Sequence, residues 1–394
     1  MRITLISPYH GGSHQAWAEG FQQHSVHDVD LLTLPDRFWK WRMHGGAVTL
    51  ARRFLANGRY PDLILADDML DLTTFLALTR RHTAGIPVVL YMHENQLTYP
   101  LPADETIGPM RRQRGERDQH YVFINYASML AADAVVFNSQ YHLDSWFEAL
   151  PNYLKHFPEY NELHSIEKLK AKSRVLPVGI NFSRFDPPPN NTSSSFSTQQ
   201  ASLPPLILWN QRWEYDKNPD DFFAALTAVS VENIPFRLAL CGQQYGKRPF
   251  IFESALETLA DHIIHVGHAD RETYRQLLWE ADLVISTAHH EFFGISILEA
   301  IYCETFPLLP KRLSYPELIP EAHHADCLYE SQQDLIRLLK QYLQSPNRME
   351  ANKMALKTAV SHFNWPQIAS TYDPFFSHIS SSWGDERTGT AHLI

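Results

Sequence analysis

The segment Leu283-Val-Ile-Ser-Thr-Ala-His-His-Glu-Phe-Phe-Gly-Ile-Ser-Ile-Leu-Glu299 passes from an apolar run to a polar loop and then to a helical pattern. This order predicts a buried strand, a turn and a helix, the unit that a parallel α/β sheet repeats. Glu291 falls in the turn and Glu299 on the helix, so two carboxylates are predicted at different depths. Carboxylates accept hydrogen bonds from hydroxyls, and this arrangement suits a nucleotide sugar, which presents hydroxyls on its hexose and its ribose. Gly294 lets the main chain approach such a ligand closely.

Short runs rich in valine, isoleucine and leucine recur along the chain, with helix-length segments between them. The first series comprises Ile3–Ser7, Val29–Leu34, Leu63–Ala66, Val88–Met92, Ala134–Phe137 and Val175–Val178. The second series comprises Leu206–Trp209, Leu238–Cys241, Ile263–Val266, Leu283–Ser286 and Phe306–Leu309. This alternation predicts two Rossmann-like, doubly wound α/β domains, each with helices on both faces of a parallel sheet.

A polar stretch rich in proline and serine separates the two series and predicts a linker over residues 186–204. The predicted N-terminal domain therefore covers residues 1–185, and the predicted C-terminal domain covers residues 205–364. Residues 365–394 are expected to form a C-terminal segment that crosses back to the N-terminal domain. Ligands of such folds bind outside the carboxyl ends of the strands, so a cleft between two facing domains is the expected site.

The chain has 394 residues, of which 44% are hydrophobic, and a formal net charge of −10 at pH 7. This length supports two domains. The three cysteines have no Cys-x-x-Cys spacing, which argues against a disulfide framework and a thiolate metal site. Without a membrane-length apolar run or a recognisable leader, we expect a cytoplasmic protein that has no membrane partner. The acidic balance means that local basic patches would have to hold any RNA.

Two strand-to-helix turns carry groups that suit a diphosphate. Gly11 and Gly12 follow the first apolar run, and their backbone amides are predicted at the positive end of a helix. Arg212 and Lys217 occupy the corresponding turn of the second domain, where cations would neutralise the charge that grows on a departing diphosphate. A simple tight turn and a solvated surface pair are the alternatives for these two motifs.

His93-Glu94-Asn95-Gln96 directly follows the apolar run that ends at Met92. Polar side chains are costly to bury without partners, so these four are predicted to face the ligand. His93 is a candidate to bind a sugar hydroxyl or to orient the acceptor, and a purely structural histidine is the alternative.

Two basic stretches are candidates for contact with an acceptor. One interleaves cations with aromatic side chains, which suits base stacking and phosphate contact, and comprises Trp39, Lys40, Trp41 and Arg42. The other is a cluster that comprises Arg111, Arg112 and Arg114. A solvated face or amphipathic packing is the alternative for both. Adjacent histidines such as His289 and His290 point apart and no complete ligand set is visible, so we expect no metal.

Five motifs, taken in order, resemble those of one family: Tyr9–His14, His93–Pro100, Phe137–Ser139, Arg212–Lys217 and His290–Cys303. The family is the tRNA-queuosine alpha-mannosyltransferase group, which belongs to the family 4 type of GT-B glycosyltransferases. The resemblance extends from about residue 3 to residue 320.

The resemblance implies transfer of mannose from GDP-mannose to queuosine in the anticodon of tRNA-Asp, with retention at the anomeric carbon. It assigns the diphosphate to Arg212 and Lys217, the hexose hydroxyls to Glu291 and the ribose to Glu299. It places Gly11 and Gly12 on the phosphate side of the first domain, and His93 where related enzymes keep a sugar-contacting histidine. We also expect Gly294 and Ile295 to contact the donor, and Glu94 and Asn95 to contact the acceptor. No cofactor is implied beyond the donor substrate.

Two rival functions remain open at this stage. A GT-B transferase with the same donor framework could use another sugar nucleotide on a lipid, a glycan or a small molecule. A tRNA-binding or nucleotide-sugar-binding protein without turnover is the alternative outside enzymes. The presence of Arg212, Lys217, Glu291 and Glu299 together argues against the second rival, because a degenerate transferase is expected to lack at least one of them.

Overall fold

The computed structural model describes residues 1–100, 119–187, 203–242 and 251–388. The chain divides into two compact units. The first unit contains Met1–Asn181 together with the C-terminal residues from Phe363 onward, and the second unit contains Phe182–His362. At the start of the second unit, Phe182–Phe185 forms a 3₁₀ helix whose Phe182 ring stacks on Tyr302 of the same unit at 4.3 Å.

The strands of the first unit are β1 (Arg2–His10), β2 (Asp28–Pro35), β3 (Leu63–Asp67), β4 (Val88–Met92), β5 (Ala134–Phe137) and β6 (Ser173–Val175). Those of the second unit are β7 (Leu206–Trp209), β8 (Arg237–Cys241), β9 (Ile263–Gly267), β10 (Leu283–Ile285), β11 (Phe306–Pro310) and β12 (Leu328–Tyr329). Within the described residues, each unit has one six-stranded sheet, in the orders β2-β1-β3-β4-β5-β6 and β12-β11-β10-β7-β8-β9. Neighbouring strands are parallel in both sheets.

Helices connect the strands, as parallel pairing requires. In chain order they are α1 (Gly12–His24), α2 (Trp39–Asn57), α3 (Leu72–Thr83), α4 (Gln119–Ala131), α5 (Gln140–Leu154), α6 (Ser165–Ala171), α7 (Pro219–Val231), α8 (Ile251–Thr258), α9 (Arg271–Glu280), α10 (Ile295–Tyr302), α11 (Tyr315–Leu318), α12 (His324–Cys327), α13 (Gln332–Gln344), α14 (Asn347–Val360) and α15 (Trp365–Thr388).

The central strands are buried along their whole length, which explains why the sequence shows continuous apolar runs at these positions. Every residue of β3, β4, β5 and β7 is buried. Two edge strands differ from the sequence-based prediction. The predicted run Val175–Val178 shares only Val175 with β6, and β12 was not predicted because its two residues are too few to form a pattern.

The C-terminal helix α15 belongs to the first unit, where it packs against α1. Tyr372 accepts a hydrogen bond from Trp17 Nε1 at 3.3 Å and donates to the Tyr91 hydroxyl at 3.0 Å. Gly20 of α1 leaves room for Trp365, because a Cβ at residue 20 would lie 1.9 Å from the indole nitrogen. The helix therefore completes the core of the unit that holds the N-terminal sheet.

Candidate active site

Two loops of the second unit meet at a buried lysine. Lys217 lies between β7 and α7, and Glu291 lies between β10 and α10. The Lys217 Nζ atom donates to the His290 carbonyl at 2.9 Å and to Glu291 Oε2 at 3.1 Å. It also lies 3.3 Å from Asp216 Oδ2. These contacts bring the carboxyl ends of two neighbouring parallel strands into one charged network.

Backbone contacts hold the two loops together independently of the charges. Thr287 Oγ1 donates to the carbonyl groups of Lys217 at 3.1 Å and Asn218 at 2.8 Å. The His289 backbone N–H donates to the Asp216 carbonyl at 2.8 Å. The positions of Lys217 and Glu291 are thus fixed by the fold and do not depend on their ion pair alone.

Both partners of this ion pair are held in their charged forms. Burial lowers the pKa of Lys217, but the carboxylates of Glu291 and Asp216 raise it further, so the net pKa lies above its usual value. Burial raises the pKa of Glu291, but the charge and hydrogen bond of Lys217 outweigh burial and hold that pKa below its usual value. Burial and the charge of Lys217 lower the pKa of His290 to about 4, so this imidazole is neutral.

Arg212 extends the same network toward solvent. Its guanidinium lies 3.2 Å from Glu214 Oε2 and 3.8 Å from Asp216 Oδ2, and 44% of its side chain is exposed. Asp216 therefore lies between Arg212 and Lys217, and the structure connects Arg212 to Glu291 through a chain of ion pairs. We name these side chains the charged cluster, and they are Arg212, Glu214, Asp216, Lys217 and Glu291.

Glu299 lies on α10, in the second turn of the helix that follows the Glu291 loop. Its Oε2 accepts a hydrogen bond from the Tyr274 hydroxyl at 2.9 Å. Burial raises the pKa of Glu299 to about 7, although Tyr274 and the charge of Arg184 act in the opposite direction. This carboxyl group therefore changes charge near neutral pH, unlike Glu291.

The start of α10 is shaped by a glycine. Gly294 has φ 107°, and a Cβ at this position would lie 3.0 Å from Leu318 Cδ1. A side chain would be strained by the backbone conformation as well as by the neighbour. Gly294 precedes Ile295, the first residue of α10, so the positive end of the helix dipole lies at this glycine.

The glycine pair of the first unit forms the turn between β1 and α1. Gly11 is buried, and a Cβ there would lie 2.1 Å from Asp36 Oδ2. Gly12 has φ 52°, and a Cβ added to it would meet nothing within 4 Å, so it is the more open of the two. The pair lies at the N-terminus of α1, where the sequence predicted it.

His93 is buried at the carboxyl end of β4 and is surrounded by polar and aromatic groups. Its ring centroid lies 4.4 Å from that of His14 and 4.6 Å from that of Trp17. Its backbone N–H donates to Asp68 Oδ1 at 2.7 Å. Burial lowers the pKa of His93 well below its usual value, with a further contribution from His14, so the ring is neutral.

Sequence reasoning missed three acidic residues that lie beside the predicted ones. Asp216 was passed over within the motif that carries Arg212 and Lys217. Asp67 and Asp68 directly follow the apolar run that ends at Ala66, which is the same signal that selected His93 after β4. An acidic pair at the carboxyl end of a buried strand is therefore the pattern that could have found them.

The predicted acceptor residues differ in their surroundings. Trp39 is half-buried and its ring packs against Tyr121 at 5.2 Å, which ties it to the protein core. Trp41 is 63% exposed. Lys40 lies over the Trp39 ring at 5.5 Å, and Arg42 Nε donates to the Pro35 carbonyl at 3.0 Å.

The other acceptor candidates follow β4 or lie further along the chain. Arg111, Arg112 and Arg114 lie outside the described residues. Glu94 accepts a hydrogen bond from Gln96 Nε2 at 3.1 Å. The Asn95 Oδ1 atom accepts hydrogen bonds from the backbone N–H groups of Leu97 at 3.0 Å and Thr98 at 2.8 Å. The oxygen of this side-chain amide therefore stabilises the turn that follows Asn95.

A metal-binding cluster and a membrane-spanning helix are both absent from the described part of the chain. No group of three or more His, Cys, Asp or Glu side chains there is arranged to hold a metal ion. No described helix is both long and apolar enough to cross a membrane.

Comparison with known proteins identifies the family. The sequence pattern described as "tRNA-queuosine alpha-mannosyltransferase N-terminal" matches residues 2–180, and that described as "Glycosyl transferases group 1" matches residues 191–358. The tRNA-queuosine alpha-mannosyltransferase of Drosophila melanogaster is 30% identical over 382 residues, which cover 96% of this chain and 97% of the relative. The chain belongs to the tRNA-queuosine alpha-mannosyltransferase family. It is a glycosyltransferase, as the sequence resemblance predicted.

Two further proteins match this queuosine mannosyltransferase family member at lower sequence identity. The GDP-mannose:cellobiosyl-diphosphopolyprenol alpha-mannosyltransferase of Xanthomonas oryzae is 23% identical over 209 residues, which cover 51% of this chain and 52% of the relative. The solved sucrose-phosphate synthase of Thermosynechococcus elongatus superposes with a TM-score of 0.70 at 16% identity and covers 97% of this chain and 100% of its own. The predicted α/β GT-B fold is thereby confirmed.

Proposed function

We propose that this family member transfers mannose from GDP-mannose to queuosine in the anticodon of tRNA-Asp, with retention at the anomeric carbon. The family membership supports the reaction class. The observation that carries the proposal for the donor is the charged cluster, in which Arg212, Lys217 and Glu291 lie together at the carboxyl ends of β7 and β10.

In this proposal, Lys217 and Arg212 bind the diphosphate of the donor. Lys217 stays protonated because two carboxylates flank it, and Arg212 is exposed enough to meet an incoming anion. Both cations would stabilise the negative charge that develops on the leaving diphosphate. Fixed charges in a buried site are effective in this role because they need little reorganisation during the reaction.

Glu291 binds the hexose hydroxyls in the same scheme. Its Oε2 is held by Lys217 at 3.1 Å, and its Oε1 accepts from the Phe293 backbone N–H at 3.3 Å. A carboxylate that two donors hold in place still has free lone pairs for hydroxyl groups. Glu299 would bind the ribose hydroxyls, with Gly294 and Ile295 providing the close main-chain approach, and His93 would contact a sugar hydroxyl.

In the proposed reaction, the acceptor attacks the anomeric carbon on the same face from which the leaving group departs. The bond between the anomeric carbon and the phosphate oxygen breaks while the acceptor hydroxyl oxygen bonds to the same carbon. The acceptor proton passes to the departing phosphate oxygen, so no protein base is needed. Catalysis then rests on positioning and on stabilisation of the leaving charge by Lys217 and Arg212.

The exposed part of the basic aromatic stretch suits the acceptor. Trp41 offers an exposed ring for stacking on an unpaired base, and Lys40 and Arg42 supply cations for phosphates. The Trp39 ring packs on Tyr121, so its proposed role is to hold the exposed residues of this stretch in place.

A crossed screen of donors and acceptors tests the proposal. Purified protein is incubated with labelled GDP-mannose, UDP-glucose or ADP-glucose, and with total tRNA, tRNA from cells that lack queuosine, or a polyprenol-linked glycan. We expect label only with GDP-mannose and queuosine-containing tRNA, and nucleoside digestion is expected to place it on queuosine of tRNA-Asp. Transfer to the lipid fraction alone would favour the activity type of the Xanthomonas relative and would contradict the proposed acceptor.

Thermal-shift measurements separate catalysis from binding alone. Ligands that bind the native state raise its apparent stability, so GDP and GDP-mannose are expected to raise the melting temperature more than UDP or ADP sugars do. A protein that binds GDP-mannose and queuosine tRNA but forms no product under any condition would be a binding protein and would contradict the proposed turnover.

A further inference from the structure

The carboxyl edge of the first unit's sheet carries buried polar side chains that the proposed donor site uses only in part. We name them the edge cluster, and they are His14, Asp67, Asp68, His93 and Asn95. Each has a relative exposure of 8% or less. Since β3 and β4 are parallel neighbours, the residues that follow them lie at the same edge of the sheet. Such edges are where α/β folds bind ligands.

All five of these side chains carry a buried polar atom that has no hydrogen-bond partner within the described part of the chain, and two of these atoms, His14 Nδ1 and Asp67 Oδ2, face each other at 3.5 Å. The Asp68 Oδ1 atom accepts from the His93 backbone, and the Asn95 Oδ1 atom accepts from two backbone amides. Among the described residues, Asp68 Oδ2, His93 Nε2 and Asn95 Nδ2 have no hydrogen-bond partner. Buried unsatisfied polar atoms are destabilising and therefore uncommon, so three in one cluster indicate a polar ligand.

The charges of the edge cluster disfavour a phosphate. His14 Nδ1 lies 3.5 Å from Asp67 Oδ2, an ion-pair distance. Burial lowers the pKa of His14, but Asp67, and then Asp68 and Glu94, raise it to about 9. Burial also raises the pKa of Asp68 well above its usual value. The positive charge of His14 is therefore matched by Asp67, and the edge cluster has no second cation to bind an anion.

A pair of neighbouring hydroxyl groups fits the atoms that remain. The Asn95 Nδ2 atom can only donate, the Asp68 carboxyl can accept, and the His93 Nε2 atom can do either according to the tautomer. Each hydroxyl of a diol both donates and accepts, so a diol can pair with all three atoms.

We infer that the edge cluster binds a vicinal diol through Asp68, His93 and Asn95, and that it excludes phosphate. His14 and Asp67 are positioning residues that fix the neighbouring rings and charges. The inference rests on the proposed function, because that reaction supplies vicinal diols on the donor and on the cyclopentene ring of queuosine.

Asp68→Asn tests the inference because it keeps the size and one carbonyl oxygen while it removes the carboxyl group. The KM values for GDP-mannose and for queuosine tRNA are measured separately. We expect the KM of the substrate that supplies the diol to rise roughly 10- to 100-fold, the effect of losing one buried hydrogen bond, with a smaller change in kcat.

Asp133→Asn is the matched control. Asp133 Oδ2 accepts a hydrogen bond from the backbone N–H of Val88, the first residue of β4, at 2.8 Å. Asp68 accepts the same kind of backbone hydrogen bond from His93, which follows the other end of β4. This variant loses a comparable carboxylate but lies away from the edge cluster, so both KM values are expected to match those of the wild type. If Asp68→Asn does not fold, Asn95→Asp replaces it, because aspartate keeps the Oδ1 acceptor and removes the Nδ2 donor.

The two kinetic outcomes assign the source of the diol. A higher KM for tRNA assigns it to queuosine, and a higher KM for GDP-mannose assigns it to the donor. Unchanged KM values for both substrates in folded Asp68→Asn and Asn95→Asp would overturn the inference.

A binding measurement keeps this inference separate from the proposed function. Saturation-transfer NMR is recorded with cis-1,2-cyclopentanediol, methyl α-mannoside and inorganic phosphate as probes. At least one diol is expected to bind the wild type and not Asp68→Asn, and phosphate is expected not to displace it. If this holds while no tRNA is mannosylated, the proposed function fails and the diol site stands; if neither diol binds the wild type, the diol site fails.

Discussion

The charged cluster of the second unit and the edge cluster of the first unit both lie at the carboxyl edges of parallel sheets, yet Lys217 and Glu291 are held ionised whereas Asp68 and His93 are held neutral. In the charged cluster, the pKa of Lys217 is raised and that of Glu291 is lowered, so both are ionised. In the edge cluster, the pKa of His93 is lowered and that of Asp68 is raised, which favours the neutral forms.

The difference arises from pairing and not from burial. Lys217 has two carboxylates within 3.3 Å, and their attraction outweighs the cost of removing its charge from water. Asp68 has the backbone N–H of His93 as its nearest donor, which does not offset burial. A site for a diphosphate needs charge that is already in place, whereas a site for hydroxyl groups works with neutral donors and acceptors. The ionised Lys217 meets the first requirement, and the neutral forms of Asp68 and His93 meet the second.

Removal of Lys217, the central cation of the charged cluster, should have the largest effect on turnover and on stability. Lys217→Ala is expected to lower kcat by roughly 100-fold or more, as for the loss of one preorganised donor at a developing charge. It also leaves Glu291 and Asp216 buried without that cation, which is expected to cost about 3–5 kcal/mol of folding free energy. Transfer rates and urea unfolding measure the two effects.

Lys311→Ala is the control for Lys217→Ala. Lys311 forms an ion pair with Glu330 at 2.7 Å in the same unit, but this pair is exposed. Exposed pairs contribute little, so both turnover and stability are expected to stay near wild-type values. A folded Lys217→Ala protein that transfers mannose as fast as Lys311→Ala would remove Lys217 from the mechanism.

A pH series should distinguish the two clusters by stability. His14 has a folded-state pKa of about 9 against an ordinary 6.5, so its stabilising contribution is complete below pH 6.5 and is lost as the pH rises through 9. This loss is expected to be on the order of 3 kcal/mol. Lys217 and Glu291 lose nothing in that window, because the pKa of Lys217 is raised above 10.5 and that of Glu291 is lowered below 4.5.

Hydrogen exchange in β3 and β4, measured at pH 6.5 and pH 9, follows this effect in the first unit. His14→Gln is expected to abolish most of the pH-dependent loss of protection, while His82→Gln, at an exposed position, is expected to keep it. An identical pH dependence in wild type and His14→Gln would contradict a charged His14.

A smaller effect is expected at the start of α10. Gly294→Ala places a side chain at φ 107°, which is expected to cost about 1–3 kcal/mol. Gly267→Ala is a matched control, since Gly267 has φ 106° but nothing within 4 Å of the added Cβ. Both variants should lose stability, and only Gly294→Ala should raise the KM for the donor. Equal donor KM values in the two variants would separate Gly294 from the donor site.

Much of the fold could be predicted from the sequence because the central strands are buried on both faces. Continuous apolar runs such as Val88–Met92 and Leu206–Trp209 therefore mark them directly. The edge strand β6 has the sequence Ser-Arg-Val, with one apolar residue, so its pattern could not be recognised. The strand β12 has only two residues, which are too few to show a periodic pattern.

The sequence predicted where the candidate site residues lie relative to the strands, but not which of them contact each other. Arg212, Lys217 and Glu291 were selected because they follow buried strands. The contact between Lys217 and Glu291 joins residues 74 positions apart, and their order in the sequence does not show it. The same holds for His14 and Asp67, which only the parallel pairing of β1 with β3 brings together.

Calorimetric titration of GDP and GDP-mannose tests the central claim most directly, that the charged cluster binds the donor with separate roles for cation and carboxylate. Wild type, Glu291→Gln and Lys217→Ala are compared at one pH and one salt concentration. We predict that Glu291→Gln binds GDP like the wild type but loses the additional affinity for GDP-mannose, and that Lys217→Ala loses affinity for both. Wild-type GDP affinity in folded Lys217→Ala, or an equal loss of GDP binding in Glu291→Gln, would contradict the account.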